Sequence, residues 1–466
     1  MIPVRPFLVA LMVTAAVAAA HGSLRAIGRP QDRPVLVSPL QARVDAATDG
    51  DRIEIGPGTY EGDLVIGRRV HLVGRGRPLL RGSGRGTVVS VRAAGAVIEG
   101  FDIDGRAGGD LGEDASGVHI KATGVTVRDC RIRDTLFGVY LNEAHDAVVE
   151  RSVIRGIPGK AAGEKGSGIH VWNTQRFRLE DNEIVDVRDG FYIQSSNDGR
   201  IRRNVARDLR YGIHYMFSDD NVFEDNLFEN GDAGTAIMYS ERLTFRRNRF
   251  LHNRGFASVG LLFKECDDGI AEDNLIADNA RGIFLEGSYR NVFRRNVVAA
   301  SDTAIVLYDS SGGNRFEGNS FVANLTPLLL VGKRTDTSFD GNYWSGNHEP
   351  DLDGDGTSDR PYRLSTVFDH FRGNLTAADL FSTGFAAAAL GAAEQAFPVL
   401  EPVRVEDRTP LARPPHLPDV PLPRPGRHGA DLTGLAGSVG TLTVGLLVLG
   451  RGRRARRAAS PRGETS

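Results

Sequence analysis

The chain has 466 residues, of which 25% are charged and 41% hydrophobic, with 56 glycines and two cysteines. Its formal net charge is −2, and nothing concentrates Lys and Arg along its repeats, which excludes a nucleic-acid partner held by phosphate neutralisation. The length allows one long solenoid with a tail rather than several globular domains, and the glycine content suits coil corners that need positive φ.

Residues 1–20 read MIPVRPFLVALMVTAAVAAA. Arg5, an apolar run and the small residues Ala18, Ala19 and Ala20 predict a secretory signal cleaved after Ala20. No Cys follows the run, so a lipoprotein is not expected, and export to a bacterial periplasm is. An amphipathic stretch, Leu40 to Ala47, predicts an N-terminal helix that covers the first coil of the repeat region at 35–345 and keeps its edge from pairing. Gly- and charge-rich insertions at Gly105–Ser116 and Pro158–Gly166 should loop out from one side.

The stretch Gly212–Asn230, GIHYMFSDDNVFEDNLFEN, is written again and again. Asn182, Asn204, Asn226, Asn248, Asn274, Asn296, Asn319 and Asn342 recur at steps of 22, 22, 22, 26, 22, 23 and 23, and Cys130 and Ser152 hold the same slot upstream. Apolar runs too short for helices alternate with period 2 between them, as strands do. The expected fold is therefore all-β, a right-handed parallel β-helix of ~22-residue coils with helical caps and a C-terminal tail. The repeated Asn should stack as an internal amide ladder. Cys130 and Cys266 lie about five coils apart, ~25 Å along the axis at the strand spacing. That is too far for a disulfide, so two free, buried thiols are expected.

Aligning the first strand of each coil on its opening small residue gives one outward column: His119, Tyr140, His170, Tyr192, His214, Met238, Leu262 and Phe284. The next outward column holds Asn142, Trp172, Gln194, Met216, Ser240, Lys264 and Glu286. Beyond the initiator and the signal segment, the only methionines are Met216 and Met238, and both fall here. Thioethers beside an imidazole suit copper(I), which makes His214, Met216 and Met238 candidate copper contacts. The stripe of His119, Tyr140, His170, Trp172, Tyr192, Leu262 and Phe284 reads first as a partner-binding surface. After the coils, DLDGDGTSD places Asp351, Asp353, Asp355 and Asp359 at positions 1, 3, 5 and 9 of a calcium-type loop. Position 12 is Tyr362, so this is no EF-hand, and an acidic turn without an ion is the alternative.

Residues 346–397 read as this acidic loop followed by capping helices over Thr366–Phe397. Residues 398–430 are proline-rich and read as an extended linker. Residues 432–450, LTGLAGSVGTLTVGLLVLG, carry no charge and are long enough to span a bilayer. The arginines of the 451–466 tail would place that end in the cytoplasm.

The segments GIHYMFSDDN, AIMYSERLTFRRN, GLLFKECDD, NYWSG, DLDGDGTSDRPYR and GAAEQAFPVLEPVRVEDRTPLARP together resemble the NosD family, over roughly residues 35–415. The resemblance implies a non-enzymatic periplasmic β-helix that docks on an ABC transporter, made of a membrane subunit and a cytoplasmic ATPase. It implies work with a copper chaperone to deliver copper to nitrous oxide reductase. His214, Met216 and Met238 match that family's pattern. The rival reading is a carbohydrate-active enzyme or glycan-binding module on the same scaffold. An enzyme of that kind needs two or three carboxylates converging on one groove, and no such column of acids is evident.

Overall fold

The computed structural model describes residues 38–108, 114–255, 258–364 and 405–415. The predicted signal segment, the capping helices over Thr366–Phe397, the 432–450 span and the basic tail lie outside them. Among the described residues no helix is long and apolar enough to cross a membrane.

Short strands repeat in threes, and each pairs in parallel with the strand one coil away. The result is a parallel β-helix whose walls are sheets of 15, 13 and 12 strands. Alternation decides which side chains enter the core: Val139 and Leu141, Ile213 and Tyr215, and Ile283 and Leu285 are fully buried, while their neighbours point out. Inside, like stacks on like. Phe223 lies on Phe245 at 4.5 Å, Phe293 on Phe316 at 4.6 Å and Phe321 on Trp344 at 4.1 Å between ring centroids.

The Asn ladder is continuous. From Asn182 to Asn342 each side-chain amide donates one N–H to the next Oδ1 at 2.9–3.1 Å. In each case its second N–H goes to an interior carbonyl, as Asn204 Nδ2 does to Leu179 O at 2.8 Å. Each Oδ1 also accepts the backbone N–H of the preceding Asn. Every polar valence is used, as a dry interior requires. Upstream, Ser152 Oγ accepts the Cys130 amide at 3.2 Å, so both residues do hold the ladder slot. A second ladder, not foreseen from the sequence, runs through Ser196, Ser218 and Ser240 and continues from Cys266 to Ser288 and Ser311.

Glycine is the second residue of most third-sheet strands for a steric reason. A Cβ on Gly212 would sit 2.5 Å from Gly234 O and 2.7 Å from Phe228 Cδ1, and one on Gly234 would sit 2.5 Å from Gly260 O. The backbones of successive coils meet here with no room for a side chain.

The N-terminal helix α1 (Pro39–Ala46) is capped by Ser38 Oγ and buries Leu40 and Val44. Gln41 closes the open strand edge by accepting Val65 N–H and donating to Val65 O. At the other end, part of the stretch read as a linker is docked instead. The Glu406–Asp407 strand pairs parallel with Phe339 and antiparallel with Tyr362–Arg363. The reason is the ladder itself: Asn342 and Trp344 end it with unspent N–H groups, and Asp407 Oδ2 accepts Asn342 N, Asn342 Nδ2 and Trp344 Nε1 at 2.9–3.0 Å.

Cys130 and Cys266 are free and buried. Burial pushes the Cys130 thiol up to about 11 and the Cys266 thiol up to about 12. Neither should react with a thiol reagent at pH 8 in the folded protein, and both should titrate in denaturant. Fast labelling of the native chain would contradict this interior.

Candidate functional site

The two Gly- and charge-rich insertions end at strands Ser116–Ile120 and Ser167–Trp172 of the 12-stranded third sheet. On that sheet the strand pairing aligns His119, Tyr140, His170, Tyr192 and His214 one above another. Their rings stand 4.5–4.8 Å apart, centroid to centroid.

The column is less open than expected. His119 and Tyr140 are buried at 8% exposure, and His170, Tyr192 and His214 are half-buried. His119 on Tyr140 is nearly parallel at 7° and His170 on Tyr192 at 18°, while Tyr140 and His170 meet at 60° and Tyr192 and His214 at 81°. Burial lowers His119 to about 4 and His170 to about 3, so both imidazoles stay neutral. His119 Nε2 and His170 Nδ1 are buried without a hydrogen-bond partner. Of the remaining predicted surface residues, Trp172 is exposed, and Leu262 and Phe284 are half-buried.

One register differs from the sequence alignment. His214 pairs with Ala236, and Met216 pairs with Met238. Met238 therefore stacks on Met216, one column over from His214, and Ser240 lies in the interior serine ladder instead of on the face. The plain period holds: Gly234, 22 residues after Gly212, opens the coil, and Ala236 does not. The outer column thus reads Trp172, Gln194, Met216, Met238, Lys264, Glu286.

The structure adds residues around His214. Asp189, fully buried, pairs with Arg188 at 3.1 Å, with Arg210 through two bonds of 2.8 and 2.9 Å, and with His214 Nδ1 at 3.3 Å. Burial alone would raise its carboxyl, but hydrogen bonds from His214 and Arg210 hold it below the ordinary value. An ionised carboxylate only accepts, so in this contact His214 Nδ1 is the donor, with the Arg210 guanidinium 3.5 Å from the same nitrogen. Tyr192 and Tyr211 wall the ring edge-on at 4.8 and 5.5 Å. Arg210 lies over the Tyr211 ring at 4.3 Å. Asp189 opens its strand where neighbouring coils have Ser167 and Tyr211. That substitution was the one available sequence signal.

At the acidic loop, carboxylate oxygens of Asp351, Asp353 and Asp355 lie within 4.8 Å of one another. Asp359 works differently, accepting Leu352 N–H at 2.6 Å. Asp351 accepts Gly354 and Gly356 amides and Asp355 accepts Thr357, so the loop closes through its own backbone.

Residues 153–350 match the family model described as periplasmic copper-binding protein (NosD). The chain carries a NosD-family domain. The span includes His214, Met216, Met238 and Asp189. The chain is 30% identical over 160 residues to the "Probable ABC transporter binding protein NosD" of Pseudomonas aeruginosa, covering 34% of this chain and 36% of that protein. It is 28% identical over 165 residues to the protein of the same name from Stutzerimonas stutzeri, covering 35% and 37%. The chain thus matches little more than a third of the length of these relatives. Among solved structures it is similar to the A-module of the Azotobacter vinelandii mannuronan C-5 epimerase AlgE6. That likeness has a TM-score of 0.52 and 15% identity over 64% of this chain and 93% of the other, and it concerns the fold alone.

Proposed function

We propose that this NosD-domain chain is a non-enzymatic periplasmic accessory protein that handles copper(I) as cargo during assembly of the copper centres of nitrous oxide reductase. In this reading it docks on an ABC transporter and exchanges copper with a chaperone. His214 Nε2 and the Met216 and Met238 thioethers form the contact point for the ion. The observation that carries the reading is the dyad of buried Asp189 and His214. A carboxylate holding one ring nitrogen while the other stays free is how ligand histidines are oriented. Two soft sulfur donors in register stand beside it. The enzyme alternative has less support, because Asp189 is a single carboxylate already shared between two arginines and a histidine.

The test is made on the reductase. Deleting this gene in its host should yield copper-poor, inactive nitrous oxide reductase, restored by the wild-type gene. A fully metallated, active reductase from the deletion strain would end this reading and return attention to polysaccharides.

A further inference from the structure

Next to Met216 and Met238 the chain does something it does nowhere else on that corner. The residues that follow the outer column from Asn142 through Met216 and Met238 to Glu286 adopt positive φ: Glu143, Asn173, Ser195, Phe217, Tyr239, Glu265 and Gly287, all between 48° and 60°. Five of the seven are polar or glycine. Phe217 and Tyr239 are the exceptions, at φ 51° and 54°. Bulky side chains are disfavoured in this region, whereas Asn and Gly enter it readily. Both residues are also exposed, at 54% and 39%, with their rings stacked on each other at 5.0 Å and 10°. Neither the backbone nor the core gains from an aromatic ring at these two positions. Of the seven exposed large hydrophobics among the described residues, Phe217, Tyr239 and Trp172 gather at this one edge, alongside the methionine pair.

The flank is acidic. Asp219, Glu241 and Asp267 follow the aromatic corner, and Glu265 continues its column on the next coil. The arginines there, Arg242 and Arg290, are each held by two bonds to Asp220 and Asp268. With Lys264 and its partner Glu286 at the same edge, seven acids stand against three basic side chains, a surplus of four negative charges.

We infer that Phe217 and Tyr239 are the centre of a docking surface for a protein that exchanges a soft metal ion with Met216 and Met238, presenting apolar side chains inside a basic rim. The inference rests on the copper reading. Copper(I) passed between proteins stays ligated throughout, so donor and acceptor ligands must share it. Whichever protein gives or takes the ion must therefore touch the residues rimming the two thioethers. The acidic flank selects a basic partner and repels a second copy of this chain. Two strained aromatics beside the ligands supply the dry contact.

The test uses the full chain, its Phe217→Asn/Tyr239→Asn double variant and the host's periplasmic copper chaperone, apo and Cu(I)-loaded. Asn suits the corner, so the variant should melt within roughly 3 °C of wild type. It should take Cu(I) from a chromophoric chelator as wild type does, yet bind the chaperone at least about tenfold more weakly. Wild-type complex formation should weaken as salt is raised. Wild-type affinity for the chaperone in the double variant would overturn the inference. So would a wild-type dimer that the variant abolishes, since that would assign the surface to a second copy. If wild type takes no Cu(I) from the chelator, the copper reading fails, and binding of the apo chaperone still decides the surface.

Discussion

Asn226→Leu is expected to destabilise the β-helix by about 4 kcal/mol, because it orphans two buried donors at about 1–3 kcal/mol each and leaves an interior carbonyl short of a partner. The donors are the backbone N–H and Nδ2–H of Asn204, both of which end on Asn226 Oδ1 at 3.0 Å. The carbonyl is Ile201 O, which accepts Asn226 Nδ2 at 2.8 Å. Leu is close to Asn in size, so the cost is one of polarity and not of volume. A drop in Tm of roughly 10 °C follows if the coils unfold together. Asn226→Ser should cost less, since Ser152 shows that a hydroxyl in this slot can accept the amide one coil back. Thermal unfolding followed by circular dichroism separates the cases. A Leu variant as stable as wild type would mean that the ladder contributes register and no stability.

The coil period was legible in the sequence because the ladder amide cannot be replaced without orphaning its neighbours. The need for a dry, satisfied interior writes Asn at each turn from Asn182 to Asn342. Register within one coil was harder. Starting the coil at Ala236 instead of Gly234 shifts the alignment by two residues, and a shift of two keeps every inward side chain inward. Hydrophobic pattern is blind to that slip. The discriminating fact is steric: only a residue without Cβ fits against Gly260 O. Asp189 was hidden because strand-opening acids usually read as turn formers, and only the packed coils show that this one is fully buried. Asp407 was hidden by distance. Its partners Asn342 and Trp344 lie more than sixty residues away, and its proline-rich surroundings read as linker.

Replacing Met216 and Met238 together by Leu is expected to weaken Cu(I) binding at least about a hundredfold, beyond the roughly 10–100-fold that losing a hydrogen-bonded outer partner costs. Leu keeps the volume and the half-buried position, so the fold should be unaffected. The two methionines are register partners on adjacent coils, their backbones about 5 Å apart at the strand spacing, so two flexible side chains can bring both sulfurs to one ion. His214 lies on the same strand and face as Met216 and is the third contact of the proposed site, through Nε2. Asp189→Asn tests that step separately. It keeps the shape but can present its NH2 to Nδ1, removing the acceptor that fixes the imidazole, so affinity should fall roughly 10–100-fold. Because the same change leaves Arg188 and Arg210 without their carboxylate, it should also lower Tm, whereas the methionine variant should not. Competition against a chromophoric Cu(I) chelator reads both variants. If the double leucine variant binds Cu(I) as wild type does, the methionines are surface alone, and the ion, if handled at all, is handled elsewhere on the chain.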